Sequence, residues 1–277
     1  MSSNTDFANI TIVLTGASMG VGAATARAFA DRGANLVLIA RGQEKLDALA
    51  EELDIGDRAM TAPLDVTDID GFDKLLARAA ERFGSVDVLV NNAGFHARGA
   101  VDWISAEDIG RMVDVNLKAP LMASRLALPY LRQSKRPAVI NVASLAGRTP
   151  VPGSATYSAT KFGLRAFGLA LAEELRSAGI KIASVSPGPI DTGFIMDDID
   201  TVTDLTFSQP ISTAEQVAEA IVALIDNKTL DLPMPRISGY LTTFSYLFPR
   251  IGRALRPMLE KKGRRTKQRL KRERGLQ

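Results

Sequence analysis

The chain has 277 residues, with 34 Lys plus Arg against 31 Asp plus Glu, one His and no Cys. The absence of cysteine excludes a disulfide framework, a thiolate zinc site, an iron–sulfur cluster and a cysteine nucleophile, and one histidine excludes a multi-histidine centre, so no metal site is expected. The net charge of +3 is a sum of unlike parts: residues 250–277 carry 12 basic and 2 acidic side chains, or +10, which leaves −7 for residues 1–249.

Short β-branched or Leu-rich runs alternate with longer segments of helical period. Residues 10–14 predict a first strand, followed by a glycine loop and a helix over 21–31, stopped by Gly33. Residues 35–40 predict a strand, 43–53 a helix, 59–64 a strand, 69–83 a helix and 86–90 a fourth strand. Next come a helix from 106 to about 132, a strand at 138–142, a helix at 155–177 stopped by Gly179, a strand at 181–185 and a helix at 213–226. Strands that alternate with helices argue for an α/β fold: a single Rossmann-type, doubly wound parallel sheet. The texture changes at Leu232-Pro233-Met234-Pro235, which predicts a boundary between a domain of residues 1–235 and a basic helical extension of 236–277. No run nears the roughly 18 apolar residues of a membrane span, and residues 1–9 lack a basic and then apolar leader, so a cytoplasmic protein is expected.

The loop after the first strand reads Gly16-Ala17-Ser18-Met19-Gly20-Val21-Gly22. Glycines there permit a tight turn and let the unpaired N–H groups of a helix N-terminus approach a pyrophosphate. The spacing, Gly-x-x-x-Gly-x-Gly, differs from the common dinucleotide fingerprint, and its place in the first βαβ unit is what favours a ligand over a plain turn. At the end of the second strand, Ala40 and Arg41 stand where a carboxylate would hold an unphosphorylated ribose. A guanidinium suits a 2′-phosphate, so NADP(H) is favoured over NAD(H), with a solvated loop charge as the alternative for Arg41. Met19 adds no second cation.

Tyr157 and Lys161 lie four apart on a predicted helix and therefore share one face. Together with the glycine loop, Asn91-Asn92-Ala93-Gly94 after the fourth strand, Asn116, Ser144 after the fifth and Pro187-Gly188 after the sixth, they resemble the short-chain dehydrogenase/reductase family over roughly residues 8–230. The resemblance implies an oxidoreductase that interconverts a carbonyl and a secondary alcohol, with Tyr157 as acid/base. Lys161 would tune the phenol and hold the nicotinamide ribose, Ser144 would orient the substrate oxygen, and Asn116 would support a water relay. Lowering a tyrosine pKa from near 10 by about three units takes roughly 4 kcal/mol of favourable charge interaction. Further cofactor contacts implied by the family are Asp65 and Val66 near adenine, Asn92, Ala93 and Gly94 along the ribose, Pro187 and Gly188 beyond the sixth strand, and Ile190 with Thr192 near the carboxamide. Asn116 alternatively marks a helix kink before Pro120. His96, at the rim of the expected cleft, reads as a solvated loop histidine ahead of a second acid/base.

In that family the segment after the sixth strand folds over the substrate. Here it is Gly193-Phe194-Ile195-Met196, then residues 197–204 with four acids, then Leu205-Thr206-Phe207. Its Met and aromatic side chains fit either an apolar carbonyl or alcohol substrate or simple packing of a lid. Family members assemble as homodimers or homotetramers, and Leu121, Met122, Leu126, Phe162, Ala166 and Ala170 are compatible with such faces.

In the tail, Tyr240, Leu241, Phe244, Leu247, Phe248, Ile251, Leu255, Met258 and Leu259 recur at helical spacing among Arg250, Arg253 and Arg256. Pro249 and Pro257 predict short helical pieces broken near each proline. Residues 261–274 hold nine basic residues and one acid, Glu273. Packing on the protein's own body or a sister subunit, peripheral contact with an anionic membrane, and phosphate contact with nucleic acid are the open uses, the last disfavoured. A non-catalytic dinucleotide-binding redox sensor or scaffold is the alternative to an enzyme, and the set Asn116, Ser144, Tyr157 and Lys161 argues against it.

Overall fold

The computed structural model describes residues 6–197 and 199–275. Residues 1–5, Asp198 of the acidic run and the last two residues of the tail lie outside them. β1 (Thr11–Thr15) leads through the glycine loop into α1 (Gly20–Ala30), then come β2 (Asn35–Ala40), α2 (Gln43–Leu53), β3 (Ala59–Pro63), α3 (Ile69–Phe83) and β4 (Val88–Asn91). α4 (Ala106–Val113) continues through a π-helical turn (Asp114–Lys118) into α5 (Ala119–Leu131); β5 (Ala138–Val142), α6 (Ala155–Glu174) and β6 (Lys181–Pro187) follow. The remainder is β7 (Ile190–Asp191), α7 (Gly193–Met196), β8 (Ser212–Thr213), α8 (Ala214–Asp226), β9 (Asp231–Met234), α9 (Arg236–Leu247) and α10 (Pro249–Glu273).

Seven parallel strands form one sheet in the order β3-β2-β1-β4-β5-β6-β9. The strands are apolar on both faces because both are covered. Ile12 and Leu14 of β1, Leu36 and Leu38 of β2, and Val88 and Val90 of β4 face the layer of α1, α2 and α8; Val13, Val37 and Leu89 face α3, α5 and α6. The strand order reverses between β1 and β4, which opens a crevice beyond their carboxyl ends.

Three sequence expectations change. The texture break at Leu232-Pro233-Met234 is the seventh strand, paired with β6 in register Val185 to Leu232. Pro233 is tolerated because β9 is an edge strand whose proline faces no further ladder. The long helix expected from 106 is interrupted by a π-helical turn that contains Asn116. Of the two expected breaks in the tail, only Pro249 makes one: Pro257 lies inside the 25-residue α10.

An interior proline costs a helix about 3 kcal/mol, and the tertiary anchoring of the C-terminal half of α10 offsets it. That half lies on the segment after β7. Lys271 Nζ is 3.0 Å from Asp200 Oδ1, Arg264 Nε is 3.0 Å from Asp204 Oδ2, and Lys267 Nζ donates to the carbonyls of Asp200 (3.0 Å) and Val202 (2.9 Å). Arg274 pairs with Asp191, and Leu270 packs on a small core of Ile195, Met196, Ile199, Val202 and Phe207. A Cβ at Gly263 would fall 1.7 Å from the Asp204 carbonyl oxygen, so only glycine allows this approach. The basic tail thus straps the acidic segment.

Candidate active site

The glycine loop lies at the mouth of the crevice. Gly16 and Gly20 adopt φ of +65° and +54°, and a Cβ on Gly22 would sit 1.9 Å from the Gly16 carbonyl oxygen. α1 begins at Gly20 with no side-chain cap on Met19 and no acidic residue in its first turn. Its terminal N–H groups are therefore available to an anion and not screened by a carboxylate. Ser18 and Val21 are half-buried on the same loop, whereas Met19 is 54% exposed.

Asn92 and Ala93 hold this loop from the end of β4. Their backbone N–H groups donate to Thr15 Oγ1 at 2.9 and 3.0 Å, and the Asn92 amide donates to the carbonyls of Thr15 (2.9 Å) and Gly16 (3.0 Å). The Asn92 side chain is thus spent on shaping the cradle. Gly94 lies beside Asn116 and Lys161, 3.6 Å from Asn116 Oδ1 and 4.0 Å from Lys161 Nζ at its Cβ position. Thr192 closes the opposite side, its Cγ2 3.4 Å from the Cβ position of Gly20, with Ile190 on the adjoining short strand. Pro187 ends β6, and the Gly188 N–H donates to the Met234 carbonyl at 2.8 Å.

Arg41 is exposed just past β2. It is near enough to Asp65 to act on it: burial raises the Asp65 pKa, and the Thr67 N–H and hydroxyl, then Arg41 and Arg111, outweigh burial and lower it. Asp65 is thereby kept as an anion beside the guanidinium. Val66 packs on the core of the α3 layer.

The catalytic candidates converge beyond β5. Ser144 caps a short 3-10 turn, its Oγ accepting from the Ala146 N–H at 3.1 Å, and its hydroxyl lies near enough to Tyr157 to act on the phenol's pKa. Lys161 is 3% exposed, its Nζ 2.9 Å from the Val142 carbonyl and 5.7 Å from the centroid of the Tyr157 ring. Burial alone lowers the Lys161 pKa to about 8. Burial also raises the Tyr157 pKa, against the lowering effects of Ser144 and of the Arg98 charge. The protein by itself therefore keeps Tyr157 as a neutral phenol, the form that can give a proton.

Asn116 is fully buried in the π-helical turn, and its amide forms a two-way pair with the Phe95 backbone: Oδ1 accepts from the N–H at 2.7 Å and Nδ2 donates to the carbonyl at 2.7 Å. Both ends of the amide fix the loop that follows Gly94. The turn explains how: the widened helix brings residue 116 inward.

His96 is not the solvated histidine the sequence suggested. Its ring stacks on Tyr157, with centroids 4.0 Å apart and 14° between planes, and its Nε2 is buried without a hydrogen-bond partner among the described residues. Burial, then the charges of Arg98 and Lys161, lower its pKa to about 3. His96 is accordingly neutral across the working range of pH. We expect the kcat/KM profile to show no ionisation near 6.5; a limb there that vanishes in His96→Gln would contradict a permanently neutral imidazole.

Sequence reasoning passed over two further groups. Arg98 donates to the Phe194 carbonyl and its guanidinium lies 5.2 Å from the Phe194 ring, clasping the loop after β4 to α7 across the crevice. Asp231 of β9 is paired with Arg148 (2.6 Å) and Arg165 (2.5 Å), tying the loop after Ser144 and the catalytic helix α6 to the edge strand. Neither belongs to a spaced motif, since each depends on elements distant in the chain. Among the described residues no cluster of His, Asp or Glu could hold a metal.

The family model for short chain dehydrogenase matches residues 10–202. The chain is 36% identical over 180 residues to an uncharacterized oxidoreductase of Staphylococcus epidermidis, covering 65% of this chain and 77% of the relative. It is 35% identical over 224 residues to the ketoacyl reductase HetN of Nostoc, covering 80% and 77%. A crystal structure of a short-chain dehydrogenase/reductase of the glucose/ribitol dehydrogenase type from Brucella melitensis superposes with a TM-score of 0.76 at 32% identity, covering 82% of this chain and 95% of that one.

Proposed function

This chain belongs to the short-chain dehydrogenase family, acting as an oxidoreductase on CH–OH groups with NAD(P), and from that premise we propose that it is an NADP(H)-dependent carbonyl reductase of hydrophobic substrates. The observation that carries this reading is the Ser144, Tyr157 and Lys161 cluster at the carboxyl end of β5, beside a glycine cradle that admits no Cβ at Gly16 or Gly22.

When bound, the dinucleotide supplies or takes the hydride. The chain's own residues do the rest. The α1 N-terminus and the loop from Gly16 to Gly22 would hold the pyrophosphate, Arg41 would pair with the 2′-phosphate, and Asp65 and Val66 would border the adenine. Ile190, Thr192, Pro187 and Gly188 would border the nicotinamide end. Ser144 donates a hydrogen bond to the substrate oxygen, which gains negative charge as the carbonyl is reduced. Tyr157 gives its phenolic proton to that oxygen, and the carbonyl becomes a secondary alcohol. Lys161 offers its ammonium to the phenolate left behind and to the ribose; Asn116 fixes the loop at Phe95 that walls this site.

Phe194 on α7 is 43% exposed and its ring lies 6.4 Å from that of His96, beside Tyr157, which supports an apolar substrate at this site. The likeness to a ketoacyl reductase supports the same class. We further propose a cytoplasmic homodimer or homotetramer joined through α5 and α6, with residues 1–235 as the catalytic unit and the extension of 236–277 in peripheral contact with an anionic membrane.

The test is NADPH and NADH oxidation with a series of ketones of increasing chain length. Turnover should rise with chain length, and Arg41→Ala should raise the KM for NADPH about 30-fold, as loss of a charge-assisted pair implies, while the KM for NADH moves less than about threefold. Equal turnover of small polar ketones, or equal movement of both KM values, would remove the corresponding part of the reading.

A further inference from the structure

We infer that the elbow where α9 turns into α10, and not the row of α10 cations that faces the acidic segment, is a docking surface for an anionic membrane. This rests on the proposed membrane contact and fixes the face that makes it. Ten large apolar side chains between residues 237 and 258 are each 44% exposed or more, among them Ile237, Tyr240, Leu241, Leu247, Phe248 and Met258; only seven others that exposed or nearly so occur in the rest of the described chain. Exposed apolar side chains concentrated in so short a span mark an interaction site.

The patch is presented rigidly. The inner face of α9, made of Ser238, Gly239 and Thr242, is buried, and Gly239 lies so close to Pro233 that a Cβ would meet its ring at 2.3 Å. Tyr246 is braced by Phe162 of α6, with ring centroids 5.4 Å apart. Beyond the elbow, Arg264, Lys267 and Lys271 are engaged by the acidic segment and its carbonyls, and Arg274 by Asp191 of β7. These cations hold the strap in place.

Charge selects the occupant. Residues 232–259 contain four arginines, Arg236, Arg250, Arg253 and Arg256, and no acid. The next acid, Glu260, is already paired with Arg256 at 2.8 Å. The outer row of α10, Lys261, Lys262, Arg265, Arg269 and Arg272, extends the same positive rim. A second copy seated symmetrically on this face would set arginine against arginine with no unpaired carboxylate between them. A nucleic acid would match the charge and leave the apolar side chains in water. An anionic bilayer takes both: headgroups meet the arginines and the acyl boundary receives the apolar ridge.

The experiment is co-sedimentation of the full chain, without substrate or dinucleotide, with vesicles of phosphatidylcholine alone or containing about one third phosphatidylglycerol. Binding to the mixed vesicles and little to the neutral ones is expected. Leu241→Ser with Leu247→Ser should weaken that binding about tenfold or more, with unchanged melting temperature and circular dichroism. Arg264→Gln with Lys271→Gln should keep it within about twofold, because those cations face the lid. Absence of binding by the intact chain overturns the inference. So does loss of binding only in the Arg264 and Lys271 variant, or a fall in oligomer mass caused by the Leu241 and Leu247 changes, which would assign the face to a second copy. Carbonyl reduction is scored separately, so failure of the enzymatic reading and failure of the docking surface are distinguishable.

Discussion

Tyr157→Phe is expected to lower carbonyl reduction by roughly 10³-fold, within the range for loss of a general acid, while NADPH binding changes by less than about twofold. The substitution removes one hydroxyl and keeps the ring that stacks on His96 at 4.0 Å, so the packing of the site survives. The pH dependence follows from the protonation state. Burial holds the phenol above its ordinary value of 10.0 in the protein alone, so reduction, which uses the protonated form, should be flat through neutral pH and fall as the phenol ionises at high pH. Oxidation of the alcohol uses the phenolate and should rise over the same interval. Steady-state rates in both directions from about pH 6 to 11, with NADPH fluorescence titration of the variant, check this. A variant that retains more than about a tenth of the activity would mean that another group gives the proton.

Lys161→Met is expected to lower kcat by roughly 10²-fold and, at pH 7, to make the protein more stable. The folded-state pKa of Lys161 is lowered from 10.5 to about 8 by burial, so the unfolded chain binds this proton more readily. Below about pH 8 the folded protein bears the full cost of a buried ammonium, a shift of that size corresponding to roughly 3 kcal/mol. Between about 8 and 10.5 the cost fades as the lysine is released from its proton. Methionine keeps the apolar stem, removes the charge and leaves the Val142 carbonyl without its donor, which returns about 1 kcal/mol or more. A net gain of about 1–2 kcal/mol raises Tm by a few degrees in a chain of this size. Calorimetry at pH 7 and near pH 10 tests it: the difference between variant and parent should shrink at the higher pH. A lower Tm for the variant at pH 7 would show that the ammonium is stabilising, and that its place in the site costs the fold nothing.

Both expectations concern residues that the run Tyr157-Ser158-Ala159-Thr160-Lys161 makes visible in the chain itself. Their surroundings are less legible. Asn116 reads in the chain as either a relay residue or a kink; the structure shows an inward π-helical turn whose amide is paired with Phe95. His96 reads as a rim histidine and is a stacked, desolvated one. Pro257 breaks the helical period on local grounds, yet contacts made by residues 263–271 carry the helix through it. In each case the deciding partner lies on another element, where no local periodicity reports it.

The alternation of strands and helices, the parallel sheet, the glycine cradle and the Tyr157–Lys161 face are all written in the chain. Backbone freedom at glycine, the two hydrophobic periods and a four-residue spacing are all local properties of a chain. It also displayed two opposite charge runs, four acids at residues 197–204 and a tail of +10. That they meet follows from the folded packing alone. The ion pairs from Lys271 to Asp200 and from Arg264 to Asp204 span 71 and 60 residues. Charge attracts without direction, so composition alone leaves the partner open. The close approach at Gly263 and the seat of Leu270 among Ile195, Val202 and Phe207 select it. That same choice turns the other face of the extension, and the elbow before it, outward.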